Sequence, residues 1–198
     1  MRIISGTLKS RKIHFPKTRL TRPMTDRAKE TVFNILGGLV QGKHVLDLYS
    51  GSGSLGLEAL SRGALDVTFV DRADWAIRTI EKNLAELELT RQAELIQADV
   101  SRVIKKLEKK GKIFSLIFVD PPYNQGLVKK TLLELDRSDI VAPFAQVVVG
   151  HSRQEELPPS FQALDLTRTK RIGQSCLSFL FRVESEHGET KSYLSGQF

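Results

Sequence analysis

A chain of 198 residues, 40% hydrophobic and 27% charged, is long enough for one sizeable core and short for two. No apolar run approaches the roughly 18 residues that a membrane-spanning helix needs, and no apolar stretch of a secretory leader follows Met1-Arg2-Ile3-Ile4-Ser5, so a cytoplasmic protein that engages no membrane is expected. The single cysteine, Cys176, excludes an intrachain disulfide, and the scattered His14, His44, His151 and His187 predict no metal site. The net charge of +7 is unevenly spread, because residues 1 to 30 hold nine Lys/Arg against Asp26 and Glu30 while the rest of the chain is balanced. Such a segment predicts a polyanionic partner, with Lys9, Arg11 and Lys12 as candidate phosphate contacts; a solvated basic tail is the bland alternative.

In chain order, residues 1 to 24, with Ile3-Ile4, Gly6, Ile13, Phe15 and two prolines, read as a small extended or hairpin appendage. Thr25 is a plausible N-cap for a helix with Ala28, Val32, Ile35, Leu36 and Leu39 on one stripe, closed by Gly37-Gly38 or Gly42. Strand candidates follow at 44 to 48, 66 to 71, 93 to 97, 114 to 119 and 145 to 149, with amphipathic helices at 54 to 62, 73 to 88, 100 to 110 and 125 to 136. The alternation predicts an α/β fold with a parallel, doubly wound sheet, and the Val, Ile, Leu and Phe content of the strands fits cover on both faces. Extended segments near 161 to 167 and 176 to 183 predict a closing antiparallel pair. The chain thus divides into a basic extension (1–24), one α/β domain (25–183) and a polar tail (184–198) expected to be mobile.

Val45 to Gly56 places Gly51, Gly53 and Gly56 in G-x-G-x-x-G spacing, directly after an apolar strand and opening a helix. There the chain turns tightly, a ligand can approach the backbone, and a helix N-terminus offers unpaired N–H groups. Asp47, four residues ahead of the first glycine, would repel a pyrophosphate and attract an ammonium group, which favours an amino-acid-bearing cofactor over a dinucleotide. Asp71, ending the second strand, is placed for ribose hydroxyls, and Asp99, after the third, for an adenine amino group. Each aspartate alone reads equally well as a helix N-cap, but three of them ending successive strands beside a glycine loop do not.

After the fourth strand comes Asp120-Pro121-Pro122-Tyr123, at the carboxyl edge where open α/β sheets bind ligands. Two prolines stiffen the turn and remove two donors, so its carbonyls are aimed by a rigid chain. The Asp120 carboxylate and the Pro121 carbonyl can each accept one hydrogen of an exocyclic amine and direct its lone pair at an electrophilic methyl, while the Tyr123 ring offers a surface for a flipped base. Catalysis of this kind is positioning plus electrostatic stabilisation. A plain Asp-Pro turn explains one proline but not the tetrapeptide in this place.

Five further stretches accompany these motifs: Arg2-Ile3-Ile4-Ser5-Gly6; Thr21-Arg22-Pro23 with Asp26-Arg27 and Lys29-Glu30; Phe33-Asn34-Ile35-Leu36; Leu57-Glu58-Ala59-Leu60-Ser61-Arg62-Gly63-Ala64; and Phe118-Val119 ahead of the tetrapeptide. Through them residues 1 to 183 resemble the Rossmann-like class I methyltransferases, and within these the bacterial 16S ribosomal RNA guanine-N2 methyltransferases of RsmD type. The resemblance implies a mainly parallel seven-stranded sheet with helices on both faces and a C-terminal antiparallel pair. It implies S-adenosyl-L-methionine as cofactor, held by Asp47, Tyr49, Gly51, Gly53, Gly56, Asp71, Arg72, Asp99 and Asn34, and catalysis by Asp120, Pro121 and Tyr123. Arg22, Arg27 and Pro122 fall to the substrate, which the resemblance makes 16S rRNA in the 30S subunit or its assembly intermediate, with guanine 966 as the family target of a monomeric enzyme. One position departs from the pattern: an acid followed by histidine is expected where the fifth strand runs out, and this chain has Gly150-His151. Two other functions fit parts of the sequence. Adenine-N6 methylation of DNA would use the same tetrapeptide, although the chain has little room for a target-recognition domain. A non-catalytic RNA-binding assembly factor would not need the intact Asp120 and Tyr123.

Overall fold

The computed structural model describes residues 1–15 and 24–183; Arg22, the rest of 16–23 and the polar segment 184–198 lie outside the described residues. Thr25 Oγ1 accepts the Ala28 N–H at 3.1 Å and starts α1 (Asp26–Leu36). Beyond it a tight 3-10 turn over Gly37–Val40 buries Val40 and leaves Leu39, expected on the apolar stripe, 52% exposed. The helical period ends at Leu36, so Leu39 is turned away from the core.

Seven strands form one sheet: β1 (His44–Leu48), β2 (Asp66–Asp71), β3 (Ala93–Gln97), β4 (Phe114–Val119), β5 (Val141–Ser152), β6 (Leu164–Ile172) and β7 (Ser175–Arg182). Their order is β3-β2-β1-β4-β5-β7-β6. The first five run parallel, and β7 lies antiparallel between β5 and β6. The chain winds outward from β1 to β3 and then returns past β1 to β4, so the crevice at this reversal opens at the carboxyl ends of β1 and β4. With α2 (Ser54–Ser61) and α3 (Asp74–Glu86), α1 covers one face; α4 (Val100–Lys109) and α5 (Leu127–Asp136) cover the other. On the first face Phe33 and Phe118 rings meet at 5.8 Å between centroids, among Leu57, Ile80, Leu84, Leu177 and Phe179. On the second, Val103, Leu107, Leu132 and Leu135 pack on Leu46, Ile117, Val149 and Leu180. Each such buried side chain contributes about 1.5–3 kcal/mol. No helix among the described residues is long and apolar enough to cross a membrane.

The first thirteen residues fold back on themselves, with Ile3 N–H donating to Arg11 O and Ile13 N–H to Met1 O, and bury Ile3 and Ile13 in the core. A buried carboxylate fastens them: Glu58 on α2 accepts the N–H groups of Ile4 and Ser5 at 2.8 and 3.0 Å and the Arg62 Nε–H at 2.9 Å. Lys29 of α1, also buried, lies 3.4 Å from Glu58 and donates to Arg2 O. Burial lowers the Lys29 pKa against the pull of Glu58.

Two strands differ from their sequence reading. β5 runs from Val141 to Ser152 rather than 145 to 149, because pairing with β7 from Gln146 to Ser152 carries it past the apolar run. β6 lies at Leu164–Ile172 rather than 161 to 167. It is the edge strand, exposed from Asp165 to Arg171, so no apolar alternation marks it and β7 alone sets its place.

Candidate active site

The crevice holds a cavity of about 580 Å³, within the roughly 300–1,000 Å³ usual for small-molecule sites. Its walls come from three sources. Tyr49, Gly51 and Ser52 belong to the glycine loop after β1; Asp71, Arg72 and Trp75 lead from β2 into α3; Asp99 follows β3. Asp120, Pro121, Pro122 and Tyr123 close the opposite side after β4, with Phe15 and Met24 at the rim.

The aspartates hold the loops as well as lining the space. Asp71 receives the Gly51 N–H on one oxygen and the Ala73 N–H on the other, both at 2.9 Å, which fixes the glycine loop to the start of α3. Asp99 caps α4 through Ser101 N–H at 3.0 Å and still faces the cavity, so the cap and the site are one residue. Asp47 is 2% exposed and accepts the Gly56 N–H at 3.0 Å from behind the loop. Burial pushes its carboxyl up to about 8, against the pull of the Gly56 N–H, and nearby Asp120 and Asp71 add to the rise. Among the described residues, no Lys, Arg or His pairs with Asp47, Asp71, Asp99 or Asp120. A pocket with this surplus of carboxylates fits a cationic ligand, and S-adenosylmethionine carries both an ammonium and a sulfonium.

On the other side, the β4–β5 register sets Phe118 beside Val148 and Val119 beside Val149, which brings Asp120 next to Gly150. A Cβ at Gly150 would stand 2.3 Å from Asp120 Oδ1 and 3.1 Å from its Cγ. The departure from the expected acid thus has a physical counterpart, for the Asp120 carboxylate occupies the room a side chain would need. Burial pushes Asp120 up to about 6, held back by a hydrogen bond from the Tyr123 hydroxyl. The Tyr123 side chain remains at the surface, 36% exposed. Tyr49, at φ 60, is in the left-handed region and is anchored by a 2.7 Å bond between its hydroxyl and Thr131 Oγ1.

Nine of the residues singled out in the sequence therefore meet around one cavity: Tyr49, Gly51, Asp71, Arg72, Asp99 and the four of the tetrapeptide. Asp47, Gly53 and Gly56 stand behind the wall. Gly56 has a packing reason of its own, since a Cβ there would lie 2.2 Å from the Phe69 ring. Asn34 is exposed on α1 and not on the wall, and Arg27 is exposed at the start of that helix. Lys9, Arg11 and Lys12 are exposed on the N-terminal hairpin, where the Arg11 guanidinium donates to Glu86 O at 2.8 Å. Sequence reasoning passed over Met24, Phe15 and Ser52 as wall residues. Trp75, within the helix expected over 73 to 88, was legible as the chain's only tryptophan, four residues after Asp71. It also missed Asn83, which donates to both His14 O and Ser52 O at 3.2 Å and so ties the N-terminal segment to the glycine loop.

A doubly wound sheet closed by an antiparallel pair, with a carboxylate-rich crevice at its switch point, defines a class I methyltransferase whose cofactor is S-adenosylmethionine. Residues 1–181 match the family model described as conserved hypothetical protein 95. Ribosomal RNA small subunit methyltransferase D of Escherichia coli K12 is 35% identical over 174 residues, covering 88% of this chain and 86% of that protein. The chain belongs to this family, of ribosomal RNA small subunit methyltransferase D type. YlbH of Bacillus subtilis is 40% identical over 173 residues, 87% of this chain and 94% of its own. The solved structure of Escherichia coli yhhF gives a TM-score of 0.82 at 33% identity, over 92% of this chain and 98% of that one.

Proposed function

We propose that this enzyme methylates the exocyclic N2 amine of one guanine of 16S ribosomal RNA, guanine 966 in the family's pattern, acting as a monomer on the 30S subunit or its assembly intermediate. The observation that carries this reading is the stiff Asp120-Pro121-Pro122-Tyr123 turn facing the glycine-loop side of a single cavity. Kinship with enzymes named for small-subunit ribosomal RNA supports the choice of substrate. One sheet and its helices account for residues 24–183 without an inserted recognition domain, which weighs against a DNA enzyme.

When bound, S-adenosylmethionine supplies an electrophilic methyl group on sulfonium. In this reading Asp71 accepts from ribose hydroxyls with its remaining lone pairs, Asp99 takes the adenine amine, and the Asp47 and Gly51 region takes the amino-acid end. The Asp120 carboxylate and the Pro121 carbonyl each hold one hydrogen of the guanine amine and turn its lone pair inward. Transfer would break the bond between methyl and sulfur, leaving a neutral thioether, and the new N–C bond would leave nitrogen one proton in excess; Asp120, poised near 6, would accept that proton and return it to water. Tyr123 keeps the carboxylate oriented through its hydroxyl and offers its ring face to the base.

Incubation with labelled cofactor and methyl-deficient 30S subunits, followed by primer extension, should map label to one guanine. No transfer to any ribosomal substrate defeats the proposal, and duplex DNA as the better acceptor replaces it.

A further inference from the structure

The far edge of the sheet carries a second charged surface, distinct from the basic N-terminal segment. Every residue of β6 from Asp165 to Arg171 is exposed, and three of them, Arg168, Lys170 and Arg171, are cations. Among the described residues none of the three forms an ion pair. Arg153, just past β5, is also exposed, and its backbone N–H donates to Gln174 O in the β6–β7 turn.

Register relates this edge to the catalytic side. Lys170 pairs with Leu177, Leu177 with Gly150, and Gly150 adjoins Asp120. Residues paired across strands share a face of the sheet, so Asp120 and Lys170 end the same row. Three strand spacings of about 4.8 Å put their backbones roughly 14 Å apart. Arg168, two residues before Lys170, points to the same face, while Arg171, paired with Cys176, points to the other. Because β6 runs parallel to β5, its carboxyl end lies at the active-site edge of the sheet. The cations occupy that end and the strand's acid, Asp165, the remote one. Edge strands often carry charge simply to block edge-to-edge pairing. Either sign of charge serves that purpose anywhere along the strand, and it does not explain a segregation of cations toward the site.

We propose that Arg168, Lys170 and Arg171 of β6 bind backbone phosphates of the RNA substrate, on the side of the target nucleotide away from the cofactor. This rests on the ribosomal RNA reading above. The N-terminal hairpin meets Ser61 and Glu86 at the ends of α2 and α3, and of its residues Phe15 reaches the cavity, so β6 supplies the cations at the carboxyl edge of the sheet.

The test is a full-length variant carrying Arg168→Gln, Lys170→Gln and Arg171→Gln, with Lys170→Gln alone as a milder form and Lys109→Gln/Lys110→Gln, exposed at the C-terminal end of α4 toward the amino ends of the strands, as control. Binding to methyl-deficient 30S subunits is measured against KCl concentration, alongside methyl transfer, cofactor Kd and Tm. Each lost phosphate contact lowers the slope of log K against log salt by about 0.7–0.9. The triple variant should therefore lose about two from the slope and show at least a tenfold higher KM for the subunit, with kcat, cofactor Kd and Tm unchanged. The single variant should lose about one, and the control nothing. An unchanged slope and KM overturn the proposal, as does an equal loss in the control or aggregation of the triple variant with RNA affinity intact. Wild-type enzyme that transfers methyl to no ribosomal substrate would instead defeat the functional reading itself, a different result from wild-type activity with an indifferent variant.

Discussion

The two halves of the sheet are built for opposite charges. From β1 to β3 the strands are short, and Asp71 and Asp99 line the pocket at their carboxyl ends, with Asp47, its carboxyl raised by burial, behind the glycine loop. From β5 to β6 the strands are longer and partly antiparallel, and the outermost presents arginine and lysine to solvent. A small cation suits the first half and a polyanion the second, and Asp120 sits just past the end of β4, where they meet. On the proposed reading, one sheet separates cofactor from substrate by electrostatics.

Removing the group at the boundary should break the arrangement most severely. Asp120→Ala is expected to lower kcat about 10²–10³-fold, the scale of losing one positioned transition-state contact, while cofactor Kd measured by calorimetry stays within threefold (~3) of the original. A comparable loss of cofactor affinity would place Asp120 on the cofactor side instead. Next in size is Gly150→Ala, whose new Cβ must move the Asp120 carboxylate. We expect kcat to fall about 10–10²-fold, as a misplacement of about 1 Å does, with KM for cofactor unchanged; full activity would show that Asp120 has a second productive position.

Gly56→Ala probes the cofactor half through its packing. The methyl would meet Phe69, so urea unfolding should show a loss of about 1–3 kcal/mol, and retained stability would mean that α2 can lift off β2 at little cost. A pH dependence sharpens the charge argument. Asp47 is raised from 3.8 to about 8, so the folded protein keeps a proton that the unfolded chain gives up. Stability without cofactor should therefore decline as pH rises from about 4 to 8 and level off above. A cationic cofactor favours the carboxylate, so its binding at pH 7 should release up to about one proton, read from calorimetry in buffers of different ionisation heat. Asp47→Asn should abolish both effects, and their persistence would assign them elsewhere.

Much of the site could be seen in the sequence because its parts are contiguous. Gly51 to Gly56 is a single turn, Asp120 to Tyr123 is another, and strand-end acids can be counted along the chain. The contacts between these parts could not be seen. Nothing local announces that Glu58 fastens Ile4 and Ser5, that Asn83 joins His14 to Ser52, or that Gly150 clears a place for Asp120. Charge counting likewise placed the whole excess at the N-terminus and missed β6, whose cations are offset in the sum by acids elsewhere on the surface.

By itself the sequence determined the order and type of most elements, since apolar periodicity and turn residues act over a few positions and answer to local physics. It also singled out nine residues that meet at one cavity. Tertiary structure decided the extent of β5, the position of β6, the rooms around Asp120 and Gly56, and the anchoring of the first thirteen residues. An edge strand is specified by the hydrogen bonds of its neighbour and not by burial of its own side chains, and a glycine's necessity by the atom facing it. Both depend on residues tens of positions away, which only the folded chain brings together.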